Sequence, residues 1–206
     1  TDNTSDDYGE ITLAGDSPVV VEYSTSDRLY DPIRTSNCTI KVVSSLYLMN
    51  LYSGKAHSTQ VILKNEDTGT IEWCAFMQPN LYDQGFSSPI EEIEFEASDC
   101  ISTLQYFKYE PYSDKRSVVT FKNIIDTIMT KCELINSYNV TQRRYNDGKE
   151  NKIARLSNFI ISEYNFYSEE DEPWTLEEIL EEICKYMGYV VFQWGDGVYF
   201  MDNDII

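Results

Sequence analysis

The hydrophobic period changes halfway along the chain, and that change limits the fold more than any other feature. Before Pro111 apolar residues recur at every second position. In IEEIEFEA, Ile93, Phe95 and Ala97 alternate with Glu92, Glu94 and Glu96. In CTIKVVS, Cys38, Ile40 and Val42 share one face. Period two marks a strand with one face buried. After Pro111 the period lengthens. TFKNIIDTIMTKC places Phe121, Ile124, Ile125, Ile128, Met129 and Cys132 on one stripe, and TLEEILEEICKYM does the same with Leu176, Ile179, Leu180, Ile183, Cys184 and Met187. Both follow the spacing of an amphipathic helix, and both start at Thr.

The expected fold is therefore α+β. Residues 1–112 form an N-terminal antiparallel β-barrel or sandwich that ends in a short helix. Residues 113–206 form a smaller α/β module of amphipathic helices, at about 120–132 and 175–187, docked on hairpins. TQVILKNEDTGTIEWCAFMQ reads as a hairpin with Gly69 in its turn. EITLAGDSPVVVEYS reads as two strands around a Gly-Asp-Ser-Pro turn, and RLYDPIRTSN as a loop, since Pro32 lacks an N–H. Asp99 caps the short helix that follows it. Thr175 and Glu178 match a capping box, Trp174 and Ile179 a hydrophobic staple, and Gly188 a left-handed stop. A C-terminal hairpin over 189–202 turns at Gly195, Asp196 and Gly197. VTQRRYNDGKENKIARL reads as an exposed basic loop.

Charge narrows the function. The chain carries 35 acidic against 16 basic side chains, a formal net charge of −19. Phosphate repels such a surface, which argues against a nucleic-acid binder or a ligand of anionic membranes. No apolar run reaches the roughly 20 residues of a membrane span. The five cysteines are odd in number and show no CxxC spacing. They read as reduced, buried thiols, with no metal site and no cofactor implied. His57, the single histidine, reads as a solvated surface residue in a loop. No phosphate loop, GxSxG or GxGxxG is present, and the acidic runs read as solvated faces, so no catalytic residue is assigned.

Three stretches carry a resemblance. They are YDPIRTSNCTIKVVSSLYLMNLYS, WCAFMQPNLYDQGFSSPIEEIEFEASDCISTLQYFKY and NFYSEEDEPWTLEEILEEICKYMGYVVFQWGDGVYFMDND. Together they resemble tail-tip structural proteins, tail hub or baseplate components, of phages and prophages of Bacteroides-type gut bacteria, the crAss-like group among them. Two positions depart from that pattern: Cys100 and Ala75 stand where glycine is usual. The resemblance implies a tail-tube-like β module carrying a small α/β module, as the N-terminal part of a longer chain. It implies a virion protein, made in the bacterial cytoplasm, that forms a trimeric ring with copies of itself, contacts other tail proteins and helps form the DNA conduit.

On that reading the acidic face of Glu92, Glu94 and Glu96 lines a lumen, where carboxylates repel passing phosphate within about 8 Å. Candidate interface residues are Tyr82 and Phe86 in the loop 78–89, and Arg143 and Arg144 in the basic loop 142–152, since loops on a rigid scaffold carry recognition. A receptor- or glycan-binding tail or adhesin module is the alternative, and a tail-associated cell-wall hydrolase a third.

Overall fold

The computed structural model describes residues 11–24, 31–45, 48, 51, 54–78, 91–112, 117–146 and 151–202. The first half contributes β1 (Thr12–Leu13), β2 (Val19–Tyr23), β3 (Ile33–Arg34), β4 (Ser36–Ser44), β5 (Gln60–Lys64), β6 (Ile71–Met77) and β7 (Glu91–Asp99). The second contributes β8 (Val118–Thr120), α1 (Phe121–Lys131), β9 (Ser137–Val140), β10 (Arg143–Asn146), β11 (Asn151–Ala154), β12 (Ile160–Ser162), α2 (Leu176–Met187), β13 (Tyr189–Trp194) and β14 (Gly197–Asp202). The α+β expectation holds.

One curled antiparallel sheet runs β1-β4-β7-β6-β5, with β2 also on β4. The strands β1 and β2 do not pair with each other. They lie along the same edge of β4, Leu13 opposite Val42 and Val19 opposite Ile40. Register follows the alternation. Cys38, Ile40 and Val42 face Ala97, Phe95 and Ile93 across β4 and β7. Val61 and Leu63 of β5 face Ala75 and Trp73 of β6. Gly69 takes φ +71° in the turn between them, a conformation that side chains with a Cβ resist.

The helices cover the other elements. A buried cluster joins both helices to the β13–β14 hairpin and to Phe76, Cys100, Ile101, Leu104 and Tyr109, so it draws on both halves of the chain. Six side chains of α2 are buried: Leu176, Ile179, Leu180, Ile183, Cys184 and Met187. Each of the larger ones contributes about 1.5–3 kcal/mol of transfer free energy. The capping box forms, with Glu178 N donating to Thr175 Oγ1 at 3.2 Å and Thr175 N to Glu178 Oε2 at 2.7 Å. Gly188 ends the helix at φ 66°. Thr120 caps α1 by accepting from Asn123 N.

Three segments differ from expectation. The basic stretch after β9 is a hairpin rather than a loop. Its strands β10 and β11 pair Arg143 with Ala154 and Arg144 with Ile153. The stretch around Pro32 contains β3, which runs parallel to β13. Proline lacks a donor but keeps its carbonyl, and Pro32 O accepts from Val191 N at 2.7 Å. The helix after Asp99 is only a 3₁₀ turn over Ser102–Tyr106. Beyond it Leu176 N bonds to Phe107 O and Tyr109 N to Trp174 O. Those tertiary bonds hold 107–109 extended against the start of α2.

Candidate functional site

The outer face of β7 is acidic. Glu92, Glu94 and Glu96 are exposed, while Ile93, Phe95 and Ala97 between them are buried. Across the ladder stand Val43, Lys41 and Thr39 of β4. Lys41 Nζ lies 3.6 Å from Glu94 Oε2, with both side chains well exposed, so the pair is worth at most about 1 kcal/mol. Glu22 of β2 is exposed and shares that face through Asn37. Lys41 was legible as an outward residue from the β4 alternation, although sequence reasoning did not place it beside Glu94.

The other candidate residues lie elsewhere. Arg143 and Arg144 sit on β10, in a two-stranded sheet separate from that of β7. Tyr82 and Phe86 lie outside the described residues. Trp194 is 63% exposed and stacks on Tyr23, which is 44% exposed, with ring centroids 6.1 Å apart and planes within 24°.

His57 is not a solvated residue. Its side chain is 5% exposed, and its ring stacks on Phe76 at 3.8 Å. Backbone φ at His57 is +63°, in the left-handed region. Nε2 lies 2.6 Å from Thr103 Oγ1, and Nδ1 lies 3.8 Å from Glu133 Oε1, too far for a hydrogen bond. A hydroxyl, an imidazole and a carboxylate in that order invite comparison with a nucleophile and its base. Thr103 Oγ1 also lies 2.7 Å from Cys100 O, to which its hydroxyl donates, and the imidazole tautomer sets the direction of the bond between Thr103 Oγ1 and His57 Nε2. Thr103 is also only 4% exposed. Burial holds the imidazole pKa below its usual range, with Glu133 pulling the other way. The arrangement fastens the segment carrying His57 to the 3₁₀ turn.

Buried polar side chains tie the halves together. Gln193 Nε2 donates to Cys74 O at 2.6 Å, and its Oε1 accepts from Cys100 N at 2.9 Å. At Gly195 an added Cβ would meet Ile71 O at 2.9 Å, which leaves room for glycine alone. Asp99 Oδ1 accepts from Ser102 N and Ser102 Oγ at the first residue of the 3₁₀ turn, whose N-cap position is Ile101 rather than the Asp99 expected from sequence. Its Oδ2 accepts from Ser36 N and Ser36 Oγ, and Ser36 Oγ accepts from Trp73 Nε1 at 2.9 Å. Glu163 gathers Tyr109 OH, Tyr112 N, Ser117 N and Ser117 Oγ. Only the Asp99–Ser102 part had a local signal; Gln193, Ser36 and Glu163 act across long sequence separations.

All five cysteines are free and buried. Burial pushes the Cys132 and Cys184 thiols up to about 12, which keeps them protonated and poor as nucleophiles or metal ligands. Among the described residues no three His, Cys, Asp or Glu side chains are grouped to hold a metal ion. Among them, too, no helix is long and apolar enough to cross a membrane.

No family model matches the chain, and no curated protein matches it. Among solved structures it is similar to the prophage tail protein gp18 from Listeria monocytogenes, at 12% identity and a TM-score of 0.45. The likeness covers 83% of this chain and 42% of that one, so the chain spans under half the length of that tail protein.

Proposed function

We propose that the chain is a structural component of a phage or prophage tail tip, a hub or baseplate part that assembles with copies of itself and with other tail proteins. In this reading residues 1–112 build the ring and 113–206 form a module docked on it. The ring turns the face of Glu92, Glu94 and Glu96 towards the path of the DNA. The observation that carries the reading is that face: three exposed carboxylates at alternate positions of a central strand, with Lys41 the single cation among the residues paired with them. Sliding DNA needs a wall that repels phosphate, and a carboxylate ladder supplies one. The sequence resemblance to tail-tip proteins supplies the biological setting. No step of catalysis is assigned to this segment.

Replacing Glu92, Glu94 and Glu96 together by Lys tests it. The variant ring is expected to retain duplex DNA at low salt and release it at high salt, while the wild type retains none. Electron microscopy of the assembled particle decides the geometry. Carboxylates facing outward into solvent would overturn the lumen assignment, and a chain that never joins a ring would overturn the tail-tip reading.

The stacked and exposed pair of Tyr23 and Trp194 favours a second reading, a glycan-binding module, because flat aromatic faces stack on sugar rings. Binding on a glycan array that is lost in Trp194→Ala would favour this reading over the first.

A further inference from the structure

A groove of about 430 Å³ lies between α2 and β12, and the tail reading makes no use of it. Phe121, Phe159, Ile160, Trp174, Ile183 and Tyr186 line it. Three of these are rings in mutual contact. Phe121 and Phe159 stack at 5.8 Å, and Tyr186 meets them edge-on at 5.6 and 6.0 Å. Ile160 is 69% exposed and Tyr186 70%. Large apolar side chains grouped in solvent around a concavity mark a surface that gains by being covered.

The backbone beside the groove narrows what covers it. Among the described residues, β12 pairs with β8 alone. Phe121 N donates to Phe159 O, and Glu163 N to Ser117 O. With Ile160 opposite Thr120 and Ser162 opposite Val118, the peptide groups of Phe159, Ile161 and Glu163 face β8. Antiparallel alternation then turns those of Ile160 and Ser162 to the open side. Asn165 Nδ2 donates to Ser162 O at 3.1 Å, which leaves Ile160 to present both its N–H and its C=O. An open edge of this kind accepts an extended chain.

Charge narrows it further. Glu182 lines the groove. Lys185 is shared by Glu181 at 2.8 Å and Glu182 at 2.9 Å, so two carboxylates share one lysine and this edge of α2 stays net negative. We infer that the groove binds an extended segment of a partner protein, paired with Ile160, with an apolar anchor between the rings and a lysine or arginine beside it facing Glu182. This holds whether or not the chain builds a tail, and the test uses the chain outside any assembly.

Short random peptides displayed as a library are panned against the 206-residue chain, and enriched peptides are titrated by calorimetry. Enriched sequences should place an apolar residue near a lysine or arginine. They should bind about tenfold or more weakly to Ile160→Asp and to Tyr186→Asp. Both positions are exposed, and an unchanged urea midpoint confirms that the variants fold. Ile160→Pro, which removes the outward N–H and spares the β8 ladder, should weaken binding too. Three results overturn the proposal: no enrichment over the variants, an acidic consensus, or equal binding to wild type and variants. Self-association of the chain that Ile160→Asp abolishes would put a second copy in the groove and overturn it as well.

Discussion

Asp99 and Glu163 accept the same set of donors, two backbone amides and two hydroxyls each. Neither has any exposed surface. Yet their acidities move in opposite directions. Burial raises the Asp99 pKa, and the bonds from Ser102 and Ser36 do not offset it. Burial also pushes Glu163 upward, but there the bonds from Tyr109, Ser117 and Tyr112 win, and its pKa falls. The donors are alike, so the difference comes from what lies behind them. Asp99 sits among Ser36, Trp73, Cys100 and Ile101, all buried. Two of the residues that donate to Glu163, Tyr112 and Ser117, are themselves exposed. A count of hydrogen bonds does not set a carboxylate's charge. The depth of low-dielectric material around it does.

The two sites also tie different things. Asp99 joins the start of β4 to the end of β7, and through Ser36 it anchors Trp73. Glu163 straps the connection between the halves onto the end of β12. Removing the acceptor should therefore cost most at Asp99. Asp99→Ala leaves at least two buried donors unmet, each worth about 1–3 kcal/mol, and should destabilise the chain by about 3 kcal/mol or more. Urea unfolding measures it. A loss no larger than that of Glu163→Ala would break the comparison.

How far these sites were legible in the sequence depends on the reach of the interactions. The helix α2 was readable almost to the residue, because its capping box, apolar stripe and Gly188 stop all lie within the segment they define. The alternation of β7 was readable for the same reason, and with it the exposure of Glu92, Glu94 and Glu96. Asp99 was half readable: Ser102 is three residues away, but Ser36 is far off in sequence and only folding brings it close. Glu163 carried no local signal, since every donor it meets comes from 109–117. The strands β3 and β10–β11 were missed because short polar or proline-bearing segments take their pairing from a partner strand, not from their own period. His57 followed Gly54, Lys55 and Ala56, a loop-like setting, and nothing local announced the Phe76 ring beneath it.

The next effect in size separates the two carboxylates by pH. Glu163→Gln keeps one acceptor oxygen and replaces the other with a donor, so two of four bonds are lost, at about 1–2 kcal/mol near neutral pH. The wild-type glutamate has a folded pKa below its ordinary value of 4.5. Its stabilising share is fully present above 4.5 and lost as pH falls through the folded value. Asp99 runs the other way. Its folded pKa lies above 3.8, so its share is present below 3.8 and lost as pH rises through the folded value. Urea midpoints taken between about pH 3 and pH 7 should show Glu163→Gln less sensitive to acid than the wild type. Parallel curves would mean that Glu163 is not the group that titrates.

The smallest change tests one bond of the Glu163 set. Tyr109 OH donates to Glu163 Oε1 at 2.6 Å, and the Tyr109 ring packs edge-on against Phe166 with centroids 4.9 Å apart. Tyr109→Phe removes the hydroxyl and keeps the ring. Glu163 retains its other three donors, so the cost should be about 1 kcal/mol. With one fewer stabilising bond, the folded pKa of Glu163 should rise part of the way back towards 4.5, and the acid limb of stability should shift upward with it. A cavity effect would lower stability equally at every pH and leave that limb in place. The double variant with Glu163→Gln settles the origin: if the hydroxyl acts through the carboxylate, the two losses should fall short of additive by about 1 kcal/mol. Strict additivity would mean that Tyr109 stabilises the strap through its ring alone, and Glu163 would then be held by Tyr112 and Ser117 without it.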